Sequence, residues 1–379
     1  MKIMILGAGM VGAPMAMDLA KDPQFDVSVA DINPEALMKL SKEPKVITIQ
    51  EDLSVPKKLK SLLPGTDFVI NALPGFVGFR TLYTLLEARK NVIDISFFPE
   101  DPFELDGLAK RKEVTAIVDC GVAPGMSNIL IGHVNSLMDR TDNVKIYVGG
   151  LPEVREWPYE YKASFSPSDV IEEYIRPARL VENGNLIEKP ALSDSEHIYF
   201  PRIGTLEAFI TDGLRTLVRT IDARNMVEKT LRYPGHIEKM KMLRETGFFS
   251  KVEISVNRIK IRPLDLTASL LFPKWKMDDS DKDMTVMKVL IEGKKNNTRL
   301  RYDYDLFDEY DVATHVHSMA RTTGYTATVA LRMIAKGLFN QKGISPPEYI
   351  GKKPECLDFM LKGLKKRGVV YKEKIEKME

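Results

Sequence analysis

The densest chemical signal lies at the start of the chain. Gly7-Ala8-Gly9-Met10-Val11-Gly12 follows the short apolar run Lys2–Leu6 and opens a stretch of helical character, Val11–Lys21. Glycines in G-x-G-x-x-G spacing suit a phosphate-binding turn. Gly7 permits the tight turn, Gly9 lets backbone approach a pyrophosphate with no Cβ in the way, and Gly12 lets the helix pack close to a sheet. The N–H groups at Met10 and Val11, on the positive end of that helix, receive the phosphates. Asp31 ends the next apolar run, 19 residues beyond Gly12. A carboxylate there accepts hydrogen bonds from the adenine ribose and repels a 2′-phosphate. No Lys or Arg stands at positions 32 to 34 to neutralise one. The expected cofactor is NAD, in preference to NADP or FAD. Asn71-Ala72-Leu73-Pro74-Gly75 ends a further run and would carry Ala72, Leu73 and Pro74 along the nicotinamide half, while Asp52 falls near the adenine or at an ordinary strand exit.

Groups able to move a proton or hold a substrate come next. Asp94-Ile95-Ser96 and Asp119-Cys120-Gly121 end two more apolar runs. Asp94 suits an amine-positioning or basic role, with Ile95 beside the cofactor, and Cys120 suits a catalytic role as a polar contact in the crevice, or simple packing. Thr230-Leu231-Arg232-Tyr233-Pro234-Gly235-His236 puts Arg, Tyr and His at a strand end, a turn and a helix start. Arg232 can grip a carboxylate through two parallel hydrogen bonds, with Tyr233 beside it. His236 can act as acid or base near neutral pH, or merely begin a helix. The string Thr205–Thr216 adds Glu207, Asp212 and Arg215, with Arg215 a further cation for substrate carboxylates; ordinary ion pairs explain these equally well. His315 and His317 are two residues apart and no carboxylate pair completes a ligand set, so no metal is expected.

The elements that must position these groups alternate regularly. Apolar, β-prone runs at Lys2–Leu6, Asp26–Ala30, Val46–Gln50, Asp67–Leu73, Asn91–Ser96 and Thr115–Cys120 are separated by helical segments at Val11–Lys21, Pro34–Ser41, Pro56–Leu63, Phe79–Lys90 and Pro102–Lys112. That rhythm predicts an α/β fold with a doubly wound parallel sheet. After Cys120 the rhythm changes. Gly125–Met138 reads as a helix, and strands are predicted at Val144–Gly149, Lys162–Phe165, Thr230–Tyr233, Ser250–Val256, Thr285–Glu292 and Thr298–Asp305. Asn183-Gly184 between two β-prone arms marks a hairpin over 179–187. Helices are predicted at Gly235–Thr246, Leu264–Phe272 and Val316–Gly337, and helical spacing returns from Pro354. The second region therefore reads as a second α/β domain on a mixed sheet. Domains are expected at 1–122, 123–312 and 313–379.

Composition narrows the class. The chain has 379 residues, 44% hydrophobic and 28% charged, which excludes a disordered or collagenous chain. A net charge of +2 provides no field for nucleic acid. Two cysteines, Cys120 and Cys356, make no disulfide framework, and no apolar run is long enough to span a membrane. A cytoplasmic protein with a small-molecule substrate, and with neither nucleic acid nor membrane as partner, is expected.

Four strings taken together, Gly7–Gly12, Asp119–Gly125, Thr230–His236 and Ser318-Met319-Ala320-Arg321-Thr322-Thr323-Gly324-Tyr325, resemble the saccharopine dehydrogenase/reductase family. Arg232–His236 and Ile344-Ser345-Pro346-Pro347-Glu348 are most similar to its L-lysine 6-dehydrogenase branch. The resemblance implies a Rossmann domain, a mixed-sheet domain forming homodimers through its sheet, and a late helix returning to the Rossmann side. It implies oxidation of an amine carbon on a lysine-derived substrate whose carboxylate rests on Arg232. The NAD-dependent oxidative deamination of L-lysine to 2-aminoadipate 6-semialdehyde, which cyclises to a piperideine carboxylate, is the expected reaction. Saccharopine or a carboxyalkyl-polyamine as substrate, with Arg215 or Arg321 supplying more cations, is a second expectation, and a non-catalytic NAD-binding regulator a third.

Overall fold

A computed structural model of the chain describes every residue except Asp279. The chain forms two compact units, Met1–Asp139 with Met319–Tyr371, and Arg140–Ser318 with Lys372–Glu379.

The first unit is built on β1 (Lys2–Leu6), β2 (Asp26–Asp31), β3 (Val46–Gln50), β4 (Phe68–Asn71), β5 (Asn91–Asp94) and β6 (Thr115–Ile117). They run parallel in the order β6-β5-β4-β1-β2-β3. That is the doubly wound order of a dinucleotide-binding sheet. Ile3, Met4, Ile5 and Leu6 are all buried, an unbroken run rather than an alternation, because helices cover both faces. Local signals start those helices. Asn33 Oδ1 accepts from the N–H groups of Glu35 and Ala36, with Pro34 at the first helical position. A seventh parallel strand, Gly343–Ser345, adds to β6 from far along the chain.

The helix Ser318–Ala335 does pack against the first helix, Gly12–Ala20: a Cβ on Gly324 would stand 2.9 Å from Met15 Cγ. The contact is pinned by Asp18, buried at 5% exposure, which accepts from Thr328 Oγ1 (2.6 Å), Arg332 Nη1 (2.8 Å) and Arg367 Nε (2.8 Å). Burial works to raise this carboxyl, yet the two guanidiniums and Thr328 hold it below its ordinary range.

The second unit's sheet is mixed. Arg140–Pro152 pairs parallel with Ala223–Arg232 on one side and antiparallel with Asp283–Lys295 on the other. Asp283–Lys295 and Thr298–Glu309 form a long hairpin through Asn296-Asn297, both at positive φ, as a two-residue turn requires. The hairpin at Asn183-Gly184 forms as expected, between Ala178–Glu182 and Asn185–Lys189.

Several expectations are corrected. The first unit extends to Asp139 rather than 122, because the helix Met126–Leu137 lies against the helix Pro347–Gly351 so closely that a Cβ on Gly132 would meet Glu348 O at 2.2 Å. Not all of 313–379 joins that unit: Lys372–Glu379 belongs to the second, where Tyr371–Lys377 is a strand beside Thr298–Glu309. Lys162–Phe165 is no strand; Ala163 makes a single bridge to Lys276. The predicted strand Ser250–Val256 shrinks to Ile254–Val256, paired with Ile259–Ile261. The helix Pro167–Ile175 and the strands Glu196–Phe200 and Gly204–Ile210 were not expected at all.

Candidate active site

The first unit offers a cradle made of backbone. Gly7 has φ +104° and sits under Ala72 O, where a Cβ would come to 2.8 Å. A Cβ on Gly12 would fall 2.0 Å from Gly7 O, so the turn and the helix meet without room for a side chain. Over Gly9 nothing lies within 4 Å, which leaves the approach open where a pyrophosphate would rest. The N–H groups of Met10 and Val11, just before the helix Gly12–Ala20, and of Gly12 at its first position have no acceptor within that helix and suit a bound phosphate. Asp31 ties the turn to β2: its Oδ2 accepts from Ala8 N at 2.6 Å and its Oδ1 from Asn33 N at 2.8 Å. Each oxygen keeps a second lone pair for a ribose hydroxyl. Ala72 N donates to Leu6 O, Leu73 N to Asn71 Oδ1, and Pro74 caps the helix Gly75–Glu87. The residues therefore fit a dinucleotide. Asp52 serves its own loop, accepting from Ser54 N and Ser54 Oγ.

Asp94 is fully buried at the end of β5. Its Oδ2 accepts from Asn71 Nδ2 at 2.8 Å and its Oδ1 from Ser96 N at 2.7 Å. Burial pushes its carboxyl up to about 7 despite those bonds. As a base it would have to share an oxygen with one of these donors. Ile95, half-buried, continues the β4–β5 ladder through its N–H to Asn71 O. Cys120 is completely buried, and burial, with Asp119 and Asp94 adding to it, raises its thiol far above the ordinary range. It is a packed thiol; the catalytic role considered for it finds no thiolate here.

In the second unit the string Thr230–His236 meets the unexpected helix Pro167–Ile175. Arg232, 2% exposed, donates from Nη2 to Glu173 Oε2 at 2.6 Å and from Nη1 to Leu231 O at 2.9 Å, and its guanidinium stacks 4.5 Å from the centre of the Tyr161 ring. The expected carboxylate clamp is therefore already filled by the chain's own carboxylate. His236 is also buried. Its Nδ1 faces Tyr159 O at 2.9 Å and its Nε2 faces Tyr174 Oη at 2.9 Å. A carbonyl only accepts, so Nδ1 carries the hydrogen and Nε2 accepts from the Tyr174 hydroxyl. Burial, then the charge of Arg232, pushes the imidazole down to about 3. His236 is thus a neutral, doubly bonded packing residue, and the acid–base role is withdrawn. Tyr233 Oη donates to Pro152 O at 2.9 Å, under the guanidinium of Arg155.

Near this pair lies a cluster of charges, part of it supplied by the string Thr205–Thr216. Arg215, at φ +53°, is buried, and burial together with its charge lowers Arg176. Glu228 accepts from Thr211 Oγ1, and burial pushes its carboxyl up to about 8. Asp212 takes Arg179 through two bonds of 2.9 Å, and Glu207 accepts from Gly235 N at 3.0 Å. These last two are an ordinary ion pair and an ordinary turn contact. Arg321, in the first unit, donates to Arg367 O. His315 Nδ1 meets Tyr310 Oη and His317 Nε2 meets Asp281 O, so the two rings serve different partners. Glu173, Tyr174 and Arg176 were missed because their helix was; Pro167 at the first helical position and acidic Asp169 in the first turn were the available signals.

Among the described residues, no helix is long and apolar enough to cross a membrane. Comparison with known proteins then adds lineage to geometry. Residues 3–117 match the family model "Saccharopine dehydrogenase NADP binding domain", and residues 121–369 match "Saccharopine dehydrogenase C-terminal domain". The chain is 25% identical over 280 residues to the mitochondrial alpha-aminoadipic semialdehyde synthase of Mus musculus, a match covering 69% of this chain and 30% of the mouse protein. It is 27% identical over 266 residues to the saccharopine dehydrogenase [NADP(+), L-glutamate-forming] of Pyricularia oryzae, covering 66% and 58% respectively. The chain thus spans under a third of the synthase it matches. The solved structure of apo saccharopine dehydrogenase (L-Glu forming) from Saccharomyces cerevisiae superposes with a TM-score of 0.80 at 20% identity, covering 99% of both chains, and shares the fold.

Proposed function

The chain belongs to the saccharopine dehydrogenase family, and from that premise we propose that it is an NAD-dependent oxidoreductase of lysine-derived amines. It would pass a hydride from the ε-carbon of L-lysine to NAD, leaving an iminium on the substrate; water then adds and ammonia leaves, giving 2-aminoadipate 6-semialdehyde. The observation that carries the cofactor half is Asp31. Its carboxylate stands at the β2 end beside the glycine turn, and no cation lies at 32–34 to balance a 2′-phosphate. The family model is named for NADP, so this acid is where the chain's own preference is argued. The substrate half leans on the relatives' names, one a synthase of alpha-aminoadipic semialdehyde and the other an L-glutamate-forming saccharopine dehydrogenase.

When bound, the nucleotide supplies the hydride acceptor. The chain's residues do the rest. The Met10–Gly12 amides hold the pyrophosphate and Asp31 the ribose. The amine must be neutral before its carbon can give up hydride. Asp94, with its carboxyl near 7, is the buried group of the first unit suited to exchange that proton at neutral pH. We further propose that the chain works as a homodimer, a state that light scattering would measure directly.

A second reading, oxidation of saccharopine itself, is favoured by the full-length match to the fission yeast saccharopine dehydrogenase [NADP(+), L-glutamate-forming], 22% identical over 423 residues and covering 91% of this chain. One experiment separates the readings. Reduction of NAD and of NADP is followed by absorbance across L-lysine, saccharopine and carboxyalkyl-polyamines. Turnover of lysine with NAD is expected. Turnover of saccharopine alone favours the second reading, and silence with every amine while NAD still binds removes the dehydrogenase altogether.

A further inference from the structure

The mixed sheet of the second unit holds a cavity of about 220 Å³. Strand pairing explains where it opens. The strand Ala223–Arg232 meets Ala178–Glu182 at Met226 alone, and meets Gly204–Ile210 over Lys229–Arg232. Val227 lies between these two registers, paired with neither strand, and it lines the cavity. The floor is apolar: Leu180 and Met226 are buried and Val227 is half-buried. Lys145, Glu182, Asp194 and Lys229 bring charge to the wall. All of these residues lie within Arg140–Ser318, so the cavity is complete in one unit. Its volume falls below the roughly 300–1,000 Å³ of pockets for drug-sized ligands, which limits an occupant to something of amino-acid size.

The charges at the wall are unevenly matched, in two opposite senses. Lys229 Nζ donates to Glu196 Oε1 at 2.6 Å and to Asp194 O at 2.7 Å, and Tyr147 Oη donates to the same Glu196 oxygen at 3.1 Å. Burial works to raise the Glu196 carboxyl, yet Lys229, Tyr147 and Lys145 hold it below its ordinary range. Two ammoniums therefore share one carboxylate, and Lys229 keeps a third hydrogen to give. On the acidic side Lys189 Nζ donates to Glu182 Oε1 at 2.5 Å and to Asp194 Oδ2 at 2.7 Å. Two carboxylates thus share one ammonium. The second oxygen of each, Glu182 Oε2 and Asp194 Oδ1, takes no donor among the described residues. The wall is left with one surplus positive and one surplus negative charge above an apolar floor. A ligand carrying both signs on a short apolar body answers all three, whereas an anion or a cation alone leaves one surplus unmatched.

We propose that this cavity binds a small aliphatic α-amino acid, with its carboxylate on Lys145 and Lys229, its ammonium on Glu182 and Asp194, and its side chain against Leu180, Met226 and Val227. The proposal does not rest on the amine-oxidising reading above, since neither the glycine turn nor Asp94 contributes to the cavity. Lys145 and Asp194 are exposed, so either charge can be removed with the fold intact, which makes both fit for a binding test.

The test is calorimetry of the full chain, without nucleotide, against L-norleucine, with hexanoate and hexylamine as probes that carry one charge each. L-Norleucine should bind, and each single-charge probe should bind at least ~10-fold more weakly. Lys145→Ala and Asp194→Asn should each weaken L-norleucine roughly 10-fold. Val227→Trp, which fills the cavity, should abolish its binding, with Tm reporting an intact fold in every variant. Absence of heat with L-norleucine at millimolar concentration would overturn the proposal, as would hexanoate or hexylamine binding as tightly as the amino acid. An affinity within about threefold of wild type in either charge variant would overturn it too, because the amino acid would then sit elsewhere in the molecule.

Discussion

The first unit presents a cradle of backbone; the second gathers buried charge. At Gly7, Gly9 and Gly12 what matters is the absence of a Cβ, and the binding groups are N–H donors that every residue carries. Around Arg232 what matters is the identity of each side chain: a guanidinium answered by Glu173, an imidazole kept neutral by burial and by the charge of Arg232, and a carboxyl at Glu228 moved to about 8. A backbone site is governed by sterics and falls abruptly when a methyl group intrudes. A charge cluster is governed by electrostatics and responds in a graded way to pH and to isosteric change. The two units can therefore be broken by different means, and the contrast can be measured.

The largest effect is expected where sterics rule. In Gly12→Ala the new methyl would lie 2.0 Å from Gly7 O, a backbone atom that cannot step aside. A loss of about 4 kcal/mol or more is expected, a fall in Tm of roughly 10 °C. Gly9→Ala sharpens the point, since its Cβ meets nothing within 4 Å. Its Tm should stay within about 1 °C of wild type while NAD affinity drops at least ~10-fold. Equal loss of Tm in the two variants would show that the open space over Gly9 is not a ligand site.

Arg232→Ala should cost about 3–5 kcal/mol, because it strands the largely buried Glu173 carboxylate without its cation. Denaturant midpoints measure this. Arg232→Ala in a Glu173→Leu background should cost markedly less, and equal costs in the two backgrounds would mean that the pair is not what holds the strand end to the helix.

Glu228 tests the electrostatic rule by pH. Its carboxyl moves from an ordinary 4.5 to about 8, so the folded state holds a proton that the unfolded state has lost. The stability this provides is complete below pH 4.5 and is lost as pH rises through 8. Glu228→Gln removes the slope. Little difference is expected at pH 4.5, and a gain of a few kcal/mol at pH 9, read from urea midpoints at both values. His236 leans the other way: with its pKa down at about 3, its contribution is complete above 6.5 and is lost as pH falls toward 3.

The same division explains what could be read from the sequence. Six strands of the first sheet and the glycine turn are local: each is written in a handful of adjacent residues, and β1 through β6 appear within two or three residues of their expected bounds. The seventh strand, Gly343–Ser345, is three residues long and exists only because β6 offers it an edge. The charge cluster is non-local. Glu173 and Arg232 are 59 residues apart, and Tyr174 and His236 are 62 apart. Arg232 and His236 were picked out as chemically able residues, yet nothing in the string Thr230–His236 tells that one is filled and the other neutral. Those facts are set by the helix Pro167–Ile175, whose Val170, Ile171 and Tyr174 form one buried face at helical spacing.

Asp31 is where the two rules meet in one residue, and its expected effect is the smallest. It is a charged side chain, but its carboxylate is spent on backbone, tying Ala8 and Asn33 to the end of β2. Asp31→Ser shortens that tie and removes the negative charge facing the adenine ribose. NAD affinity should fall about 10-fold, equivalent to roughly 1.4 kcal/mol, through the lost ribose acceptor. NADP affinity should hold or rise, because the repulsion of its 2′-phosphate is gone. The ratio of the two dissociation constants by calorimetry is the readout, and it separates causes that the absolute values would mix: damage to the Ala8 tie weakens both nucleotides alike, whereas loss of charge moves them in opposite directions. A ratio unchanged from wild type would place Asp31 with the backbone scaffold and leave the choice of nucleotide to another part of the turn.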